Sequence, residues 1–257
     1  MSADGGSGSR DPHGMVQEAE VLVRELASDG VSARVLGGVG IALRCPSALP
    51  PSPLSRAYSD FDIVVAKDGR RKLPAALERL QFKGAERFNA MNGHERQLYS
   101  NRNGIELDVF IDRFKMCHEL DLRQRLLIDR HTLAIADLVL SKLQVAALTD
   151  KDVRDYAAIT LDHDLTTDDS GVNTTRLTTV TSNDWGWWRT VTENLEKVAA
   201  HLPGLGLPPE ALERVGHTTE ALLTMIAESP KSLRWRARAK VGDRVSWREE
   251  PEERRRH

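Results

Sequence analysis

Two cysteines in 257 residues, Cys45 and Cys117, are too few to build a disulfide framework or a cysteine-rich metal site. The eight histidines include no His-Glu-x-x-His pair, and neither a Gly-x-Ser-x-Gly elbow nor a Walker phosphate loop is present. Charge of one sign is lacking too: 36 Lys and Arg against 38 Asp and Glu give a net charge of −2, so any basic surface for nucleic acid must be local. No apolar run reaches the roughly 18 residues of a membrane span. The N-terminal stretch is Gly- and Ser-rich and polar, unlike a signal peptide. These absences lead us to expect a cytoplasmic protein without membrane contact. A hydrophobic fraction of 40% still suffices for one large domain or two smaller ones.

What is present is concentrated between Gly37 and Asp108. Residues 31–36 read as a short apolar strand ending in Gly37-Gly38. After a spacer carrying Pro46, Pro50, Pro51 and Pro53 comes Ser59-Asp60-Phe61-Asp62-Ile63-Val64-Val65, a strand pattern buried on both faces. A third run, residues 105–111, carries Glu106 and Asp108, and pairs as a hairpin with residues 95–99 around Asn101-Arg102-Asn103-Gly104. Asp60 and Asp62 stand two apart and so share one strand face, where mutual repulsion calls for a cation; all-oxygen ligands suit magnesium. Asp108 is the candidate third carboxylate, with Glu106 its rival on the same face and Asp112 a weaker one at the end of the run. Against the metal reading stand solvated acids at a strand end, or an acid paired with an arginine. The helix expected after Gly38 would turn its N-terminus towards a phosphate.

These residues resemble the DNA polymerase beta-like nucleotidyltransferase superfamily. Its pattern is an apolar residue, Gly-Gly or Gly-Ser, a spacer, alternating apolar and Asp residues, and a third acid on a later strand; Gly37, Gly38, Asp60, Asp62 and Asp108 match it. The similarity covers about residues 20–165, with a spacer longer than is usual. Lys142, in Ala136-Asp137-Leu138-Val139-Leu140-Ser141-Lys142, and the acidic motif Asp150-Lys151-Asp152-Val153-Arg154-Asp155 look like the abortive-infection branch, which includes toxins that modify transfer RNA. The resemblance implies an α/β (α+β) fold, with a mixed sheet flanked by helices. It implies transfer of a nucleoside monophosphate from a nucleoside triphosphate, ATP among them, to a hydroxyl on RNA or a small molecule. Asp60, Asp62 and Asp108 would be catalytic and hold Mg2+; Gly37, Gly38, Ser59, Lys142 and Asp152 would contact the nucleotide. A toxin-like enzyme would also have an antitoxin partner. The alternative is a non-catalytic nucleotide- or RNA-binding module on the same fold. For Lys142 the rival reading is a snorkelling lysine, and for Asp152 and Asp155 surface ion pairing.

The rest of the chain divides into a disordered N-terminus (1–13), the nucleotidyltransferase-like domain (14–165), a linker or exposed loop poor in large apolar residues (166–182), a helical C-terminal region (183–248) and a frayed tail (249–257). Helices are expected over 14–28, 70–80, 120–127, 133–148, 151–161, 184–201 and 209–228. Residues 232–241 alternate Leu233, Trp235, Ala237, Ala239 and Val241 with Arg234, Arg236, Arg238 and Lys240. That period favours a strand with a basic face, the best local patch for RNA, though the composition also permits a helix. Trp185, Trp187 and Trp188 read as a packing plug or a stacking platform. His163-Asp164 reads as a surface pair.

Overall fold

A computed structural model describes residues 11–249. The expectations for residues 1–10 and 250–257 lie outside these. A five-stranded mixed sheet forms the centre of the N-terminal half, with strands β1 (Ala33–Leu36), β2 (Asp60–Val65), β3 (Phe82–Gly84), β4 (Arg96–Asn101) and β5 (Glu106–Ile111) in the order β1-β2-β5-β4-β3. β2 and β5 are parallel and the other pairs antiparallel. Side chains alternate across a strand, so one face carries Val35, Phe61, Ile63, Val65, Leu107 and Val109, all buried. The other face carries Asp60, Asp62, Glu106 and Asp108 near one end and buried Val64 and Phe110 further along.

Helix α1 (Pro12–Ser28) starts two residues before the expected boundary, because Asp11 accepts the N–H groups of His13 and Gly14 as its N-cap. α2 (Gly37–Ala42), α3 (Leu73–Arg79) and α4 (Glu86–Asn92) complete the N-terminal half. Residues 120–127, expected to be helical, instead form strand β7 (Glu119–Asp121), paired with β6 (Arg113–Lys115), and a following turn. α5 (Ile135–Leu143) is apolar nearly all round and buried, a central post on which α2, α6 (Asp150–Asp162) and the C-terminal helices pack. Thr149 caps α6 in a capping box with Asp152.

The segment 166–182 is not an exposed loop. β8 (Leu165–Thr166) pairs with β9 (Val172–Asn173), and α7 (Thr174–Asn183) follows, burying Leu177, Thr181 and Ser182. α8 (Trp185–His201), α9 (Pro209–Glu228) and α10 (Leu233–Ala239) finish the chain. The helical C-terminal region is therefore as expected, but one continuous hydrophobic core runs from Met15 to Ile226, so nothing separates it from the sheet half.

The basic stripe is corrected as well. Ser232 accepts the Trp235 N–H and opens a helix, not a strand, so Arg234, Arg236, Arg238 and Lys240 do not form one row. Arg238 lies over the Trp185 ring at 4.7 Å, and Arg234 stands 3.7 Å from Asp184. The three clustered tryptophans pack against Trp235, Trp247 and His118, as a plug would.

His118 sits inside this plug, its Nε2 2.8 Å from Thr190 Oγ1, a hydroxyl that also accepts the Trp247 indole N–H. Burial pushes the imidazole down to about 4, outweighing Asp184 and Glu249, which favour the charged form; Arg248 disfavours it. Between about pH 6.5 and 4 the unfolded chain binds a proton that the folded chain refuses, so stability falls as pH falls through that window and levels off below it. Urea midpoints of wild type and His118→Gln at pH 7 and pH 5 check this. The wild type should lose more stability than the variant; equal losses would assign the pH dependence elsewhere.

Candidate functional site

The sheet register assembles the acids. Asp62 on β2 is the ladder partner of Asp108 on β5, and Asp60 is the partner of Glu106. Partners on adjacent strands stand about 5 Å apart and project from one face. Both rivals for the third carboxylate are therefore on that face, but Asp108 is opposite Asp62 and buried, whereas Glu106 is exposed. Asp112 has left the face: it has φ 60° and accepts the Lys67 N–H at 2.9 Å.

The Gly-Gly turn closes over the same end of the sheet. Leu36, the last residue of β1, is also a partner of Asp62. Gly37 has φ +66°, a conformation glycine adopts without strain, and a Cβ there would collide with Asp62 Oδ2. The turn thus requires glycine twice over, once for its backbone and once for the carboxylate lying against it. α2 has only six residues, so the charge beside the turn comes from elsewhere. It comes from Arg56: a Cβ at Gly38 would collide with the Arg56 guanidinium.

Arg56 belongs to the Pro-rich spacer, and its place is set by α6. The Ser47 N–H and hydroxyl both donate to Asp162, at 2.8 and 2.5 Å; the Pro53 carbonyl accepts from Arg154; Arg56 donates through Nε and an Nη to the two oxygens of Asp155, at 2.9 and 2.7 Å. Tyr58 packs under the guanidinium, 4.5 Å from ring centre to Cζ. Asp155 also receives Lys142 Nζ at 2.8 Å. Burial alone would push the Asp155 carboxyl up, but Lys142 and Arg56 hold it below the usual carboxylate range. Burial likewise works against the Lys142 ammonium, and Asp155 and Asp152 overcome it, so its pKa rises.

Lys142 is therefore no snorkelling lysine; its side chain is 13% exposed and bound within the site. Asp152 lies at the rim, occupied mainly by Thr149, whose backbone N–H and hydroxyl it accepts at 3.1 and 2.6 Å, and 3.5 Å from Lys142. Asp155, for which surface ion pairing was the rival reading, is the buried hub instead. Ser59 is exposed and donates to Asp60 at 3.3 Å. Sequence reasoning missed Arg56, whose one available signal was its position two residues before Tyr58 in a spacer otherwise poor in charge.

Asp108 has a cation of its own. Arg96 on β4 donates to both its carboxylate oxygens, through Nε at 2.7 Å and through an Nη. Among the described residues no three His, Cys, Asp or Glu side chains converge as a ready metal cage. The donor set nevertheless fits magnesium in kind: only carboxylate oxygens, on adjacent strands, on one face. In that set Asp108 would share its oxygens between a metal and Arg96, the more exposed member of the pair.

No family model and no curated protein matches this chain. Among solved structures, an antigenic nucleotidyltransferase-like protein from Paracoccidioides brasiliensis is similar at 17% identity, covering 78% of this chain and 92% of that one, with a TM-score of 0.41.

Proposed function

We propose that this chain is a magnesium-dependent nucleotidyltransferase. The observation that carries the reading is the pairing of Asp62 with Asp108 across two parallel strands, with the Gly37 turn closed onto Asp62. Asp60 and Asp62 would hold the metal. Magnesium bound there supplies charge neutralisation for a triphosphate and a fixed orientation of its α-phosphorus. Gly37 and Gly38 let the phosphates approach the backbone, and Lys142 stands behind Arg56 on their shared anion, Asp155. The acceptor hydroxyl oxygen forms a bond to the α-phosphorus as the bond to the bridging oxygen breaks, and pyrophosphate leaves with that electron pair. Asp108 takes the hydroxyl proton. The acceptor class is a hydroxyl on RNA, transfer RNA included, or on a small molecule.

The Arg96–Asp108 pair is the one observation that favours the second reading, a module that binds nucleotide without transferring it. One experiment separates them: incubation with each labelled triphosphate, with and without magnesium, in the presence of total RNA or small acceptors. Transfer predicts labelled acceptor and pyrophosphate release only with magnesium. Binding without either product would sink the enzyme reading. Growth arrest on expression would support the toxin-like assignment.

A further inference from the structure

We propose that Arg56 is the triphosphate-anchoring residue of this site, delivered by the Pro-rich spacer; the inference rests on the nucleotidyltransferase reading and adds a contact that the Gly-Gly and acid pattern does not contain. Three observations converge on it. First, Arg56 and Asp62 lie against successive residues of one turn, Arg56 over Gly38 and Asp62 over Gly37. Asp62 and Arg56 therefore flank one two-residue turn whose Cα atoms are about 3.8 Å apart, so a polyphosphate approaching the turn would meet both.

Second, the donors are arranged for it. A guanidinium has five N–H groups. Arg56 uses Nε and one Nη towards Asp155 and the other Nη towards the Ala57 carbonyl at 3.2 Å. That leaves one N–H on each terminal nitrogen for a further acceptor such as a phosphate oxygen. The absence of a side chain at Gly38 lets that end of the fork rest directly against the turn.

Third, the guanidinium is held ready. Its side chain is only 15% exposed, gripped by Asp155 on one edge and by Tyr58 on its face, so little rotamer entropy remains to be lost on binding. Asp155 is shared with Lys142, which also stands 3.5 Å from Asp152, so Arg56 is fixed by a network in which each charge has a partner. The spacer's contacts to α6 through Ser47 and Pro53 then have a purpose: they fix where Arg56 arrives.

The competing account is that Arg56 only staples the spacer to α6. The test titrates full-length wild type, Arg56→Gln and Arg56→Lys with inorganic tripolyphosphate, a nucleoside triphosphate and the matching monophosphate by calorimetry, alongside melting curves. Gln should weaken both triphosphate ligands about ten- to hundred-fold, the range for losing a charge-assisted pair, and the monophosphate less than about threefold. Lys, with charge but no fork, should recover only part. If Arg56→Gln fails to fold, Arg56→Lys carries the test: it keeps a charge for Asp155 but not the fork, and it should still lose part of the triphosphate preference. Unchanged triphosphate preference in the folded variants overturns the inference while leaving the enzyme reading intact. Failure of the wild type itself to bind either triphosphate ligand overturns both.

Discussion

Replacing Asp62 by asparagine should lower nucleotidyl transfer by roughly a thousand-fold, about 4 kcal/mol of transition-state stabilisation. Among the described residues Asp62 is the acid that meets both the Gly37 turn and the ladder position of Asp108. Asparagine keeps the shape and one acceptor oxygen but loses the charge. It also relieves repulsion among acids on one face, so the melting temperature without ligand should stay within a few degrees of wild type. Magnesium and triphosphate together should raise the melting temperature of the wild type and much less that of the variant, by mass action on the native state. A variant that retains full transfer would remove Asp62 from the chemistry. A variant that melts far below wild type would make it a structural residue.

The largest effect on stability is expected away from the site, at Asp137. Its carboxylate is fully buried on α5 and accepts from Arg125 at 2.6 Å and from Arg176 at 3.0 Å. Arg125 also binds Asp169, in the turn between β8 and β9. The network joins the segment after β7, the central helix and α7. Alanine at 137 leaves two partly buried guanidinium groups facing a cavity without their shared anion, a loss of about 3–5 kcal/mol. For a chain of this size that corresponds to a melting temperature lower by roughly 10 °C. Activity per folded molecule should be unchanged at low temperature. In the Arg176→Met background the same substitution should cost less than it does alone, since the charge it strands is partly gone. Additive losses in that cycle would mean that the two residues act separately.

How much of this was legible depended on whether the signal was local. Gly37, Gly38, Asp60, Asp62 and Asp108 stand out because each lies in or beside an apolar strand, and a period of two fixes their faces. The hairpin that carries Asp108 was readable from Asn101 to Gly104, where Gly104 takes φ +74°. α7 was hidden by its composition. Its threonines return their hydroxyls to the chain, Thr178 to the Thr174 carbonyl and Thr181 to the Leu177 carbonyl, so a segment that scores as polar packs as a helix. α10 was misread because alternating Arg and apolar residues fit a strand by period, while Ser232 as a cap decided for a helix. Arg56 and Asp155 are 99 residues apart, and their pairing depends on where the spacer lies along α6. No local pattern encodes that.

The course of the spacer along α6 bears on how such a chain can be cut or recombined. One side of α6 holds Ser47, Pro53 and Arg56, and another meets α9, with the Tyr156 hydroxyl 3.1 Å from that of Thr219. The helix that shapes the edge of the site is thus also the helix on which the C-terminal bundle rests. A fragment ending near residue 165 would keep every acid and both glycines yet leave buried Tyr156 facing water. The bundle and the site share one supporting helix: grafting the sheet half onto a different partner would require a new neighbour for α6 before it required anything of the acids.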